Sequence, residues 1–319
     1  MALPVCDSNG LSDPEQYAFV MHVITWIETP INFYGAYCIL FKTPDKMKSI
    51  KWIMFTLHFL SSFLDFFLSF LVIPYLYLPA MAGIAFGLVH SPLLETYSVI
   101  VLMTGIAVMI LNIFENRYFN LFGQYTEWKT QRKWFLAINY ITFPFYFAPT
   151  LLVVPDQEYA IPRIAEDRQL FVFALDYTVP FVIVTAMTTF LISEIVAVSF
   201  ILFAKILGRH RSISVVSRKT LDLQKQFAIA LSLQIMVPFL ALSAPVVYVL
   251  MSIYLNYHNQ TLNNFIFCLL SVHGLFSTVI MVLVHKPYRE VTLYPFHRFI
   301  KKKQSIDKVE PFVLGSIDS

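Results

Sequence analysis

The chain has 319 residues, of which 57% are hydrophobic and only 13% charged, with a formal net charge of +3. Water-soluble domains carry about 25% charged residues, so the polar coat of a soluble protein is missing and no nucleic-acid partner is expected. Cys6, Cys38 and Cys268 lie in different segments, so no disulfide within the chain is expected.

Residues 1–16 carry Asp7, Asp13 and Glu15 and no basic residue. Without a basic n-region they predict no cleaved signal peptide, and the first apolar stretch serves as the anchor. Seven apolar stretches then predict helices near 17–41, 52–78, 94–118, 134–155, 177–205, 222–255 and 263–285. About 20 such residues cross the roughly 30 Å hydrocarbon core of a bilayer, where backbone polar groups find partners only in a helix or a closed barrel. The expected fold is an all-α membrane protein, a seven-transmembrane helix bundle. No internal repeat is visible.

Lys and Arg set its orientation. Lys42, Lys46, Lys48 and Lys51 follow the first stretch; Lys129, Arg132 and Lys133 follow the third. Lys205, Arg209, Arg211, Arg218 and Lys219 follow the fifth, and seven more occupy the tail. The alternate segments hold only Arg163 and Arg168, among acids such as Asp156, Glu158 and Asp176. Cationic loops mark the cytoplasmic side. The expected layout is an extracellular N-terminus (1–16), a transmembrane domain (17–285) and a cytoplasmic basic tail (286–319).

Taken in order, the stretches offer several polar residues. Glu28 lies in the first, Asp65 near the middle of the second and Glu194 in the fifth. A charge at mid-bilayer costs at least about 2.5–3.5 kcal/mol. These acids therefore need hydrogen-bond partners inside the bundle, for which Asn32, His58, Asn112, Gln234 and His273 are candidates. Such a network is either interhelical glue or, at Asp65, a switch or cation site. The third stretch ends Glu115-Asn116-Arg117-Tyr118. An isolated arginine at that depth snorkels to the headgroups, but an acid, an arginine and a tyrosine there resemble the arginine motif of G-protein-coupled receptors. Pro238 and Pro245 sit close to two turns apart in the sixth stretch and bend it in related directions. Asn259-Gln260-Thr261 is an N-x-T sequon in a short outer loop, a candidate glycosylation site at Asn259. Past His285, apolar residues mixed with Arg298 and Lys301 to Lys303 suit a segment lying on anionic lipid.

Together these pieces resemble the nematode serpentine chemoreceptors of class H. The likeness rests on Pro30 to Pro44, Met47 to Trp52, Leu57-His58-Phe59, Leu64-Asp65, Pro74-Tyr75 with Pro79, Glu115 to Tyr118, and His285 to Arg289. It implies a chemosensory G-protein-coupled receptor for an odorant- or pheromone-like molecule. Its site would be the plasma membrane of a sensory-neuron cilium, with a heterotrimeric G protein as partner. The chain departs from rhodopsin-like receptors in three places. Asn116, not an acid, precedes Arg117, so Asp222 is the candidate lock; no cysteine is present to strap the third span to the second outer loop; and the seventh span lacks an Asn-Pro-x-x-Tyr run.

On this reading a small, mostly apolar ligand sits between spans three, five, six and seven, and the sixth pivots about Pro238 to uncover Arg117. A seven-helix small-molecule transporter is the rival. No cofactor, metal or enzymatic activity is expected, because the eight histidines are scattered without metal-ligand spacing.

Overall fold

In the computed structural model, residues 10–164, 170–211, 236 and 239–294 are described. Asp222 and Pro238 lie outside them, as does Cys6.

The first helix, Pro14–Lys42, opens on Asp13, whose carboxylate accepts the Gln16 N–H at 3.1 Å, with Pro14 at a position where no N–H is needed. At 1.5 Å per residue its 29 residues run for roughly 43 Å, enough to cross a bilayer. Among the described residues, Ile50–Val72, Pro92–Leu121 and Thr178–Ile206 are long and apolar enough to span, and Gln260–Ser271 with His273–Val284 form another span bent by 41°. The first helix is not in that set because polar residues such as His22, Glu28 and Asn32 lower its mean hydropathy; Thr25, Glu28 and Asn32 are turned inward and buried. The fourth span starts at Trp128, runs to Thr142 and continues through the turn Phe143–Phe145 to Ala148–Leu151. The sixth is seen from Phe239 to Leu255. A last helix covers 286–294 and packs back on the first span, Tyr288 Oη meeting Thr43 Oγ1 at 2.7 Å.

The third span is the axis of the bundle. From Thr104 to Asn116 nearly every residue is buried, against the second span on one side and the fifth on another. The fifth span is the opposite case, with only 11% of its most apolar window buried. A surface so apolar belongs in lipid, not water.

The second helix differs from the expected 52–78. It widens into a π-helical turn at Phe67–Val72, and Ile73 then takes a left-handed conformation (φ 46°) that stops it. The apolar run continues as a strand, β1 (Pro74–Tyr77), which pairs antiparallel with β2 (Ala82–Ala85), Pro74 facing Ala85 and Tyr77 facing Ala82. A third strand, β3 (Phe171–Val172), joins β2 from the loop before the fifth span. Apolar residues fill helix and strand alike, so hydropathy alone does not mark the change. The sheet caps one end of the bundle, the hairpin end; the loops bearing Lys42 to Lys51 and Lys129 to Lys133 lie at the other, the basic end.

Polar side chains hold this cap in place. Gln260 Nε2 donates to Leu76 O (3.1 Å), His258 Nδ1 donates to Leu78 O (2.6 Å), Tyr75 Oη donates to Ser12 O (2.6 Å) and Asn264 Nδ2 donates to Leu11 O (2.7 Å). Hairpin, N-terminal turn and seventh span are thus tied through backbone carbonyls that any sequence supplies.

Candidate functional site

Three assemblies stack from the basic end to the hairpin end. At the basic end, Glu115 is fully buried and takes Arg132 Nε on both oxygens, at 2.9 and 3.0 Å, and Trp128 Nε1 at 2.8 Å. Glu115 is therefore committed to the fourth span. Two positions apart on a helix, it and Arg117 point different ways. Tyr118 stands edge-on to Trp128 with ring centroids 6.3 Å apart, completing the seam, and Arg117 is half-buried beside it.

At mid-depth the second and seventh spans meet over Asp65. The seventh span breaks at Val272, and the second half-helix begins at His273. His273 Nδ1 lies 2.6 Å from Asp65 Oδ1 and donates also to Leu270 O at 2.8 Å. The Gly274 and Leu275 N–H groups donate to the same carboxylate at 3.2 and 3.0 Å. Asp65 thus occupies the N-terminus of the half-helix, where unpaired N–H groups and the helix dipole favour an anion. Gly274 is required by this approach, because a Cβ there would come within 2.5 Å of Asp65 Oδ2 and 3.0 Å of the Ser61 backbone.

Around this pair, Thr25 Oγ1 donates to Ser69 Oγ and Ser69 Oγ to Glu28 Oε1, each at 2.8 Å. Thr278 Oγ1 donates to Asn32 Oδ1 at 2.9 Å and approaches His58 Nδ1 at 3.3 Å, while His58 Nε2 donates to Asn32 O at 2.8 Å. Glu28 Oε2, Ser61 Oγ and His273 Nε2 are buried without a hydrogen-bond partner among the described residues. Buried groups of this kind are uncommon, and three of them belong to this network.

The four residues expected to share one network divide into three places. Asp65 and Glu28 lie together with the first, second and seventh spans. Asn112 instead donates to Tyr140 Oη, and Glu194 faces Asn139. The separation has a simple cause: the third and fifth spans present these residues to the fourth, which carries both partners. Asn259, exposed, caps Gln260–Ser271 by accepting the Leu262 N–H at 3.0 Å.

Toward the hairpin end is a cavity of about 230 Å³. Its wall draws on the second span (Leu68), the third (Val99), the fourth (Leu151), the fifth (Val184), the sixth (Val249), the seventh (Phe267) and both strands of the hairpin. A second cavity of about 160 Å³ lies between the third, fifth and sixth spans and shares Ile100 and Val184 with the first. The expected wall of spans three, five, six and seven is therefore extended by the second and fourth spans and the sheet. Glu95, the acid in this wall, escaped the sequence reading because it sits in the first turn of its helix, where acids are ordinary. Its spacing four residues before Val99, another wall residue, was the available signal.

A family model described as serpentine type 7TM GPCR chemoreceptor Srh matches residues 12–298. A Caenorhabditis elegans protein described as Serpentine receptor class H-72 is 25% identical over 94% of this chain and 90% of its own length.

Proposed function

The chain belongs to the serpentine Srh family of seven-transmembrane chemoreceptors, and from that membership we propose that it binds a small, mostly apolar ligand in the hairpin-end cavity and activates a heterotrimeric G protein at the basic end. The observation that carries this reading is the cavity itself, because six spans and the hairpin converge on it. A ligand touching so many elements has different contacts in each of their arrangements, and only such a difference in affinity shifts a conformational equilibrium.

The hairpin end faces the environment and residues 286–319 face the cytoplasm. The wall's apolar side chains select the ligand body by burial of its surface. The seventh span, broken at Val272, and the sixth, with Pro238 and Pro245, supply the hinges. Asp65 couples the two ends, since a shift of the seventh half-helix must break or keep its three hydrogen bonds. Arg117, Tyr118 and Asp222 form the G-protein contact, and Glu115 braces the fourth span beside them. The setting is a sensory-cell plasma membrane.

The test is a screen of volatile and small lipid-like compounds on cells expressing the chain with a promiscuous G protein. A second-messenger response is expected, with Arg117→Ala reaching the surface in normal amount and giving none. Equal signalling by that variant removes Arg117 from the coupling surface.

A further inference from the structure

The hairpin-end cavity has a single ionisable residue among the described residues of its wall, and it is an acid. Glu95 is 5% exposed, and its Oε1 is sealed from solvent without a hydrogen-bond partner. Among the described residues no ion pair reaches it. Among the described residues, the other polar side chains of the wall are Thr96 and Thr150.

An acid in the first turn of a helix has an ordinary role, offsetting the positive end of the dipole. Here the carboxylate serves that role by accepting the Ser91 backbone N–H, near the exposed His90. It does not account for the second oxygen, which a capping acid normally leaves in water and which is here shut away from it, in a residue that lines the cavity. A carboxylate only accepts hydrogen bonds, and buried acceptors almost always have a donor. Among the described residues none reaches Oε1, and a turn of the carboxylate toward the cavity that Glu95 lines would let the cavity's contents supply the donor.

We propose that the cavity takes a small molecule with an apolar body and one protonated amine, whose N–H groups bond to Glu95. The proposal rests on the reading of this cavity as the ligand site. Its volume of about 230 Å³ exceeds the roughly 150 Å³ that admits benzene, leaving room for one ring or short chain plus the head group. A hydrogen bond between two charged groups is about twice as strong as one between neutral groups, so an amine outbinds the alcohol of equal shape. A carboxylic acid brings like charge to a dry site and is rejected.

The receptor purified in lipid nanodiscs is titrated with 2-phenylethylamine, 2-phenylethanol and 3-phenylpropanoate, binding being read from the rise in melting midpoint. Glu95→Gln keeps the size of the side chain and its acceptor toward Ser91; Val99→Trp fills the cavity. The amine is expected to bind most tightly, the alcohol weakly and the acid not at all. Glu95→Gln should weaken the amine by roughly tenfold or more while leaving the alcohol within about twofold. Val99→Trp should abolish both. An amine that binds no better than the alcohol, binds Glu95→Gln equally well, or does not bind at all overturns the proposal. If the alcohol binds and Val99→Trp removes it while Glu95→Gln spares the amine, the cavity stands as the site and only the amine class falls. If binding survives Val99→Trp, the cavity reading itself fails. The ligand-free midpoint of Glu95→Gln reports any purely structural role separately.

Discussion

Asp65 is the residue on which the middle of the bundle turns, and its environment sets the size of its contribution. It accepts hydrogen bonds from His273, Gly274 and Leu275, all from the seventh span. Removing one partner of a buried, hydrogen-bonded charge pair costs about 3–5 kcal/mol, because the other partner stays behind uncompensated. Asp65→Ala strands three donors and is expected to destabilise the receptor by about that amount. Asp65→Asn keeps one acceptor oxygen and should cost less. Glu28→Gln retains the oxygen that Ser69 addresses, so its effect should stay under about 1 kcal/mol. Thermal unfolding in one detergent orders the three variants; equal midpoints for Asp65→Ala and Glu28→Gln would show that the His273 contact has no energetic weight. His58 and His273 were legible as partners because a buried acid must find one. Which acid each would join was not, since the answer depends on helix rotation.

Among elements, the seventh span shows how a break serves packing. A continuous helix would use the Gly274 and Leu275 N–H groups internally; the bend at Val272 frees them for Asp65. Close approach demands a residue without a side chain, and Gly35 repeats the pattern, a Cβ there meeting Thr278 Cγ2 at 2.5 Å and His58 Cε1 at 2.8 Å. At Gly105 the nearest atom would be a Phe143 side chain at 3.3 Å, which has room to yield. Gly274→Ala is therefore expected to cost about 1–3 kcal/mol or more through overpacking, and Gly105→Ala markedly less. Surface expression paired with melting midpoints of the two variants checks this, and equal losses would mean that the second and seventh spans are not in contact at Gly274. The spans themselves were readable because charge-free stretches near 20 residues have few other uses. The hairpin was not, because Pro74-Tyr-Leu-Tyr extends the apolar run of the second span without a polar break. Nor was the clasp of Gln260 and His258 on the hairpin, because its acceptors are backbone carbonyls that leave no mark in a sequence.

For the whole molecule, the two ends of the bundle differ in kind. The hairpin end combines a small sheet, an apolar cavity and acidic flanking residues, and the basic end gathers nearly all the Lys and Arg of the loops. Each end suits one side of a membrane only. The anionic inner leaflet attracts basic juxtamembrane segments by about 1 kcal/mol per residue near the surface. The nineteen cationic side chains after the first, third, fifth and seventh spans would forfeit that attraction if the chain were inverted. An epitope placed ahead of Met1 is accordingly expected to stain on intact cells, and one after Ser319 only once the membrane is permeabilised. The reverse pattern would put the cavity inside the cell, and a ligand arriving from the environment would then have to cross the bilayer before meeting Glu95.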